Sequence, residues 1–371
     1  MAMDEGILLE YRIARLFFHN NYFSRRGIPL ISYSFSEESA DITDIDVLGI
    51  RYNVDFSVNK IFADCKSNIS PKAKEAKPVN RILWTSGLKK FLNYDIAYFC
   101  KPKINEKIKD FALKNGVIPL DYIKLEELED RFDLNDRWQG SYDKANYQKI
   151  NSYYVNIKKD SNLYKLYFFL RYLFWRVPPN HQIKRCMNLL DENFKDSQIS
   201  SKYKIYLLCE LYSLSAISVL NLCKETYPYT KTERDSWITN KMIEGIGSIK
   251  QQENLLRVIK SYAQAKVEEL TQQKILIDFD EFKIPAPEYT GDLIDLLDRF
   301  VSKPEYSIEV PRFIDFFVYE YIMKNEEVDT EELKSLFKID IDMLAKLSKN
   351  LIRFVDPLAD ERNVNEKILT Y

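Results

Sequence analysis

Histidine and glycine are scarce in this sequence, and their scarcity excludes several kinds of active site. The 371 residues include only two histidines, His19 and His181, and nine glycines. Two distant histidines leave almost nothing from which to build a histidine-dependent hydrolase of the Ser-His-Asp kind. None of the glycines falls in a GxxxxGK or GxGxxG pattern, so we expect no phosphate-binding loop and no ATP-driven motor.

The sequence also lacks a long apolar run and a regular cysteine pattern. The sequence contains no stretch of about 18 apolar residues, so we expect no membrane span. The first residues, MAMDEGILLEYR, carry acids where a signal peptide needs a basic region. Five cysteines without a CxxC pair fit a reducing compartment and argue against a zinc ribbon. Together these absences predict a cytoplasmic protein without a membrane segment.

Positive charge is concentrated in one part of the chain. The formal net charge is −2, but residues 60–114 carry a net charge of +8, which leaves −10 for the remainder. A basic segment within an acidic chain indicates a surface for a polyanion such as nucleic acid. Solvated surface lysines would give the same count, so the charge alone leaves both interpretations open.

Two regions of different hydrophobic periodicity follow one another along the chain. Up to residue 138 the patterns predict the order α-β-β-β-α-β-α-β-α, an antiparallel meander followed by crossover units. The predicted strands cover residues 28–35, 46–52, 58–66, 95–100 and 117–120, and the predicted helices cover 6–18, 79–92, 105–115 and 124–132. Beyond that point nearly every segment has a helical period, and its aromatic residues are expected in the core.

This change of character predicts two domains of different class. Residues 1–138 should form a domain of the broad α/β type, more narrowly an α+β fold with a mixed sheet. Residues 139–371 should form an all-helical domain. The helical domain would place the substrate, support self-association or dock another protein.

Asp64 and Lys66 lie two residues apart at the end of the predicted strand 58–66. Their side chains point the same way, and charge at the end of an apolar strand is costly unless it is paired or functional. If strands 46–52 and 58–66 form a hairpin, opposed residues have numbers that sum to about 110, which sets Asp46 opposite Asp64. Two opposed carboxylates repel unless a cation joins them. The pattern therefore predicts Mg²⁺ or Mn²⁺ here, with Lys66 placed to position or deprotonate a metal-bound water. A plain ion pair is the alternative.

Two further acids belong to the candidate site. Glu10 lies on the apolar side of the first predicted helix, where a lone carboxylate is costly unless it is paired or functional. It would bind a second cation or a metal-bound water, or it would be a rim glutamate paired with a nearby arginine such as Arg12 or Arg15. Asp44 faces the same way as Asp46, so it would either assist the site or merely flank it.

A group of basic side chains follows the strand of Asp64 and Lys66. We expect these side chains to contact phosphates, which positions a nucleic acid without reading its sequence. They are Lys72, Lys74, Lys77, Arg81, Lys89 and Lys90.

Three segments together resemble the PD-(D/E)xK nuclease superfamily. They are the opening helix with Glu10, TDIDVLGI with Asp46, and FADCK with Asp64 and Lys66. The order of elements is also similar to the restriction-endonuclease-like αβββαβ core, over residues 5–135. The resemblance implies a Mg²⁺-dependent endonuclease that hydrolyses phosphodiester bonds, with DNA as the favoured substrate. It also implies that Asp46, Asp64 and the main-chain carbonyl of Cys65 bind the metal, that Lys66 is the catalytic lysine and that Glu10 is the helix-borne acid.

Some features of known subfamilies are missing. The glutamine-tyrosine pattern of RecB-like members does not follow Lys66, and the glycine-rich lead-in of Mrr-like members does not precede Asp46.

By analogy, the resemblance further suggests a homodimer, an effector of bacterial anti-phage defence and a protein partner that supplies recognition or activation. The alternatives are an RNA- or structure-specific nuclease and a catalytically silent nuclease fold that serves as a binding or scaffold module.

Overall fold

The computed structural model combines one five-stranded mixed sheet with many helices, which confirms the predicted α+β class at that level. The structure describes residues 4–32, 40–67, 77–134, 137–195, 201–243, 249–272, 285–317, 319–320 and 330–362. The first part contains α1 (Glu5–His19), β1 (Phe23–Ser32), β2 (Ala40–Tyr52), β3 (Val58–Cys65), α2 (Pro78–Phe91), β4 (Ile96–Cys100), α3 (Glu106–Lys114), β5 (Val117–Leu120) and α4 (Tyr122–Arg131).

The described remainder of the chain is helical, as predicted. It contains a 3₁₀ turn (Gly140–Tyr142), α5 (Asn146–Ile157), α6 (Ser161–Phe168), a π turn (Phe169–Leu173), a 3₁₀ turn (Phe174–Arg176), α7 (Pro179–Asn193), α8 (Lys202–Thr226), α9 (Lys231–Ile243), α10 (Ile249–Thr271), α11 (Thr290–Val301), α12 (Pro304–Ser307), α13 (Val310–Phe317), α14 (Thr330–Phe337) and α15 (Ile341–Val355).

The strands lie in the order β1-β2-β3-β4-β5. The first three pair antiparallel, and β3, β4 and β5 pair parallel, as the predicted meander and crossovers require. In the hairpin Val47 pairs with Ala63, so opposed residue numbers sum to 110 as predicted. β1 and β2 begin earlier than predicted, at Phe23 and Ala40. Their opening stretches are rich in charged residues, which hides the strand period. The predicted strand residues 33–35 lie outside the described residues.

Helices cover both faces of the sheet. On one face the Phe17 ring of α1 lies 5.5 Å from the Tyr98 ring of β4. A Cβ on Gly49 of β2 would lie 3.0 Å from Phe17 Cδ2, so glycine is what allows α1 to approach so closely. On the opposite face Ile82 of α2 and Phe99 of β4 belong to a small second core that α3 and β5 complete. The sheet is therefore a central layer between α1 and the α2–α3 pair.

The helical part packs against the same sheet. Arg25 of β1 makes ion pairs with Asp315 of α13 at 2.7 Å and with Glu210 of α8 at 3.3 Å. The Tyr52 hydroxyl of β2 donates to the Asn221 side chain of α8 at 2.9 Å. Buried apolar side chains of the sheet and of the helical part form one hydrophobic cluster. The domain boundary between residues 138 and 139 stays a prediction.

α8 is the central helix of the helical part, and most of its residues are buried. Among the described helices it is the one whose length and composition would allow it to cross a membrane. However, 83% of its apolar window is buried within the protein. A core helix meets the same criteria, so the feature has no bearing on membrane association.

The five cysteines are all free and buried. Burial raises the pKa of the Cys186 thiol to about 12, and burial together with Cys100 raises that of Cys65 well above its usual value. Thiols with raised pKa values stay protonated and are poor nucleophiles. Cys65 belongs to the main apolar cluster, as expected of a small core residue.

Candidate active site

Asp46 and Asp64 lie on the adjacent strands β2 and β3, one step beyond the paired residues Val47 and Ala63. The register therefore sets the two carboxylates opposite each other, which is the arrangement that the sequence predicts. Each residue is only 5% exposed. Asp46 Oδ2 accepts a hydrogen bond from the main-chain N–H of Cys65 at 2.6 Å, which fixes its orientation at the strand end.

Lys66 bridges the two acids. Its Nζ lies 3.2 Å from Asp46 Oδ2 and 3.2 Å from Asp64 Oδ1. Its side chain is 36% exposed, so the ammonium also faces the solvent side of the cluster. Burial lowers the pKa of Lys66, but the carboxylates of Asp64 and Asp46 outweigh it, and the net pKa lies above the usual value. Lys66 therefore stays protonated at neutral pH.

Arg81 joins α2 to the cluster. α2 begins with Pro78, which suits a first helical turn, and this start brings Arg81 over the end of β3. Its Nε donates to Asp64 Oδ2 at 2.8 Å and its Nη2 to Asp64 Oδ1 at 2.5 Å. Trp84, three residues further on the same helix face, lines the cleft beside Asp64 and is 43% exposed. The predicted phosphate contact Arg81 thus lies within the acidic cluster itself.

Burial and neighbouring charge together raise the pKa values of Asp46 and Glu10. Burial, followed by the neighbouring charge of Asp64, raises the pKa of Asp46 to about 7, against the opposing effect of Lys66. Glu10 adds to this rise, and Asp44, itself exposed, contributes to a rise at Glu10. Burial is the larger cause of these rises, because Lys66 and Arg81 already balance the charge of the two aspartates.

Glu10 has a different partner from those predicted. Its Oε2 lies 3.3 Å from Nη1 of Arg26 on β1. Burial raises the pKa of Glu10 to about 7, although Arg26 acts in the opposite direction. The alternative of an arginine partner is therefore met by Arg26, and the examples Arg12 and Arg15 were wrong, because each binds Glu129 of α4 at 2.6 Å. The sequence could not show this, because Glu129 is more than a hundred residues away along the chain.

Among the described residues, the other predicted phosphate contacts make no ion pair with Asp46 or Asp64. Lys77 is exposed directly before α2, and Lys90 is exposed on its last turn. Lys89 Nζ lies 3.3 Å from the main-chain carbonyl of Gly116. Lys72 and Lys74 lie outside the described residues. Lys77 and Lys90 remain available to a polyanion on the outer surface of α2.

The donor set fits a hard divalent cation in part. Over the part of the chain that the structure describes, no three or more His, Cys, Asp or Glu side chains are grouped to hold a metal ion. Mg²⁺, however, keeps several waters and is commonly bound by one or two carboxylates. Lys66 and Arg81 neutralise Asp46 and Asp64 here. A metal at this site would therefore bind in competition with two side-chain cations.

Sequence reasoning missed two groups of residues near the site. Trp84 belongs to an amphipathic helix, where an aromatic residue usually indicates core packing. Tyr147, Tyr154 and Tyr167, from the helical part, line a cavity whose wall includes Glu10. These tyrosines were expected in the core, and no local pattern distinguishes a cavity wall from a core.

Comparison with known proteins assigns no relative. No protein-family model, no curated protein and no solved structure matches this chain. The chemistry of the site is therefore the basis for a functional proposal.

Proposed function

We propose that this protein is a Mg²⁺- or Mn²⁺-dependent endonuclease that hydrolyses phosphodiester bonds of DNA. The observation that carries the proposal is the pair of buried, opposed carboxylates Asp46 and Asp64, with Lys66 Nζ 3.2 Å from an oxygen of each. Such a pair is costly to bury, as the raised pKa of Asp46, about 7, indicates. A divalent cation bound between the two carboxylates would relieve their repulsion.

The order of the elements supports the proposal. The succession α1-β1-β2-β3-α2-β4 agrees with the αβββαβ order of the restriction-endonuclease-like core. The two acids lie on its second and third strands, and Glu10 lies on its first helix. Assignment to that core is part of the proposal.

The site residues would have separate roles. Asp46 and Asp64, joined by the main-chain carbonyl of Cys65, would hold the cation. The bound cation would offset the negative charge that develops on the scissile phosphate. Lys66 is protonated, so it would orient the attacking water or a phosphate oxygen by charge rather than act as a base. Glu10, whose pKa is about 7, could accept a proton near neutral pH.

A second candidate function is a metal-independent nucleic-acid-binding module. Lys66 and Arg81 already neutralise the two acids through ion pairs of 2.5–3.2 Å, so the cluster is satisfied without a metal. Metal binding separates the two candidates, because only the nuclease needs Asp46 and Asp64 as ligands.

A cleavage assay with plasmid, linear duplex DNA, single-stranded DNA and RNA tests the proposal. Each substrate is incubated with Mg²⁺ or Mn²⁺ and wild-type protein, Asp64→Ala or Lys66→Ala. Lys124→Ala is the matched control, because the exposed Lys124 ammonium pairs with Glu127 on α4 and belongs to no part of the candidate site. We expect metal-dependent DNA cleavage that both site variants lose and the control keeps.

Two results would change the proposal. Cleavage of RNA alone would replace the substrate. No cleavage of any substrate, together with metal binding that does not depend on Asp46, would exclude the nuclease and favour the binding module.

A further inference from the structure

A cavity of about 230 Å³ lies at the β1 edge of the sheet, between α1 and the helical part. Its walls come from α1, β1, α5, α8 and the π turn after α6. Asn151, at its rim, is exposed. The volume is below the roughly 300 Å³ at which drug-sized pockets begin. The cavity therefore suits one small unit of a ligand rather than a length of double helix.

Glu10 and Gly27 place this cavity beside the candidate active site. Glu10 lines the cavity and also contributes to the raised pKa of Asp46. Gly27 lines it as well, and because the preceding residue, Arg26, pairs with Val47, Gly27 lies next to Asp46 across the β1–β2 pair. A ligand in the cavity would thus lie near a phosphate bound at the acidic cluster.

Arg171 supplies a positive charge to the cavity wall. A Cβ on Gly27, whose φ is +56°, would lie 3.0 Å from Arg171 Nη2, so the glycine leaves room for the guanidinium. The guanidinium is half-buried, and within the described ranges no hydrogen bond or ion pair joins it to another residue. A partly buried, unpaired guanidinium favours an anionic partner.

Two further polar groups on the wall have unused hydrogen-bonding capacity. Ser24 is 2% exposed and Arg25 is 7% exposed. Ser24 Oγ and Arg25 Nη2 have no hydrogen-bond partner among the described residues. Buried polar atoms without partners are rare in proteins and point to a missing water, ion or ligand. Both residues line the cavity, and the two unpartnered atoms lie buried within its wall.

Tyrosines form the other side of the cavity. The rings of Tyr154 and Tyr167 lie 5.0 Å apart, and Tyr147 lies beside them on α5. Nucleobases stack on aromatic side chains whatever their identity, while arginine attracts the phosphates. A guanidinium without a hydrogen-bonding partner and aromatic rings in one small cavity together match a single nucleotide.

We propose that this cavity receives one unpaired nucleotide of the substrate strand. The protein would then act on single strands, ends or bulges in preference to continuous duplex, because a paired base cannot enter a cavity of this size. The inference rests on the proposed function for the source of the nucleotide. The nucleotide chemistry itself rests on Arg171 and the tyrosines.

Binding without turnover tests the inference. Fluorescence anisotropy in EDTA compares a continuous DNA duplex, the same duplex with a one-nucleotide bulge, and a single strand. We expect the bulged and single-stranded probes to bind about tenfold more tightly than the continuous duplex. Arg171→Gln and Tyr154→Ala should abolish this preference, and Tyr154→Phe, which keeps the ring, should retain it. Arg185→Gln on α7 is the matched control, because its side chain is 45% exposed and lines no part of the cavity.

Each outcome bears on the inference. Equal affinity for the bulged and continuous duplexes overturns it, and so does a preference that Arg171→Gln leaves intact. In a further arm dAMP alone is the probe: Arg171-dependent binding of dAMP, without preference among the polymers, would overturn the substrate strand as the source and assign a free nucleotide to the cavity. Because EDTA prevents cleavage, these results are independent of the nuclease assay. A protein that keeps the preference but never cleaves would count against the nuclease and leave the assignment of the cavity intact.

Discussion

Arg81 binds both carboxylate oxygens of Asp64, through Nε at 2.8 Å and through Nη2 at 2.5 Å. The pair joins α2 to the end of β3 and occupies the same oxygens that a metal ion would use. Arg81 and a metal at Asp64 are therefore competitors.

The first prediction follows from this competition. Arg81→Gln should increase the affinity for Mn²⁺, because it removes a positive charge adjacent to the ligand. Two unit charges about 4 Å apart near a protein surface interact by about 4 kcal/mol, so we expect the affinity for Mn²⁺ to increase by about tenfold. Isothermal titration calorimetry measures it, with Lys90→Gln on the exposed side of α2 as control. Unchanged or weaker affinity would contradict competition at Asp64.

A second prediction concerns pH and metal binding. Burial and Asp64 raise the pKa of Asp46 to about 7, so below that pH a proton must leave before the carboxylate can bind a cation. Mn²⁺ affinity should therefore rise by about tenfold between pH 6 and pH 8. Titrations at pH 6, 7 and 8 measure this dependence, and Asp46→Asn should bind weakly at each pH. A flat profile for the wild type would mean that Asp46 is not a ligand.

A third prediction concerns stability without metal. The pKa of Asp46 is 3.8 in a model compound and about 7 in the fold, so between these values the folded protein keeps a proton that the unfolded chain loses. The free energy of unfolding from this group therefore falls as pH rises from about 4 to about 7 and stays low above it. Asp46→Asn should raise the free energy of unfolding at pH 8 by on the order of 2 kcal/mol and change it little at pH 4.

Urea denaturation in EDTA at the two pH values measures that effect. Asp110→Asn, at an exposed position of α3, is the control and should change stability little at either pH. A loss of stability at pH 8 in Asp46→Asn would show that the carboxylate stabilises the fold.

A fourth prediction tests how closely α1 approaches the sheet. A Cβ on Gly49 would lie 2.7 Å from Ile61 Cγ1 and 3.0 Å from Phe17 Cδ2. Gly49→Ala should therefore lower the free energy of unfolding by about 1–3 kcal/mol through overpacking. Gly87→Ala on α2 is the control, since no atom lies within 4 Å of the added methyl group. It should stabilise the protein by about 0.5–1 kcal/mol. Equal effects would contradict the close contact.

A fifth prediction concerns the buried ion pair between the sheet and the helical part. The Arg25 and Asp315 side chains are 8% and 1% exposed and 2.7 Å apart. Arg25→Met leaves the carboxylate buried without its cation, so the free energy of unfolding should fall by about 3–5 kcal/mol. Lys334→Met, which removes an exposed ion pair with Glu331, should cost under about 1 kcal/mol. Similar losses in the two variants would mean that the buried pair contributes no more than a surface one.

The hairpin shows how much the sequence could predict. The register of the hairpin follows from the alternation of apolar and polar residues along two short strands and from the polar turn between them. This register alone places Asp46 opposite Asp64. The capping Asn115-Gly116 pair likewise marks the end of α3, where Gly116 adopts φ +69°. Local pattern was sufficient for these features because the partners are close in the chain.

The partners of the site residues could not be predicted in the same way. Arg26 binds Glu10, and Arg171 reaches the cavity from the helical part of the chain. Such contacts depend on how whole layers pack, and periodicity gives the face of a helix without its neighbour. Arg81 is an intermediate case. It follows the strand of Asp64 and Lys66, which predicted a position near the site, but its carboxylate partner could not be predicted.

The burial of every cysteine has a practical consequence for spectroscopy. A thiol introduced at Asn151, the exposed residue at the cavity rim, would be the accessible one on a chain whose own thiols are all buried. A maleimide dye would then attach at one site without removal of the native cysteines, and its emission would report directly on whether a nucleotide enters the cavity.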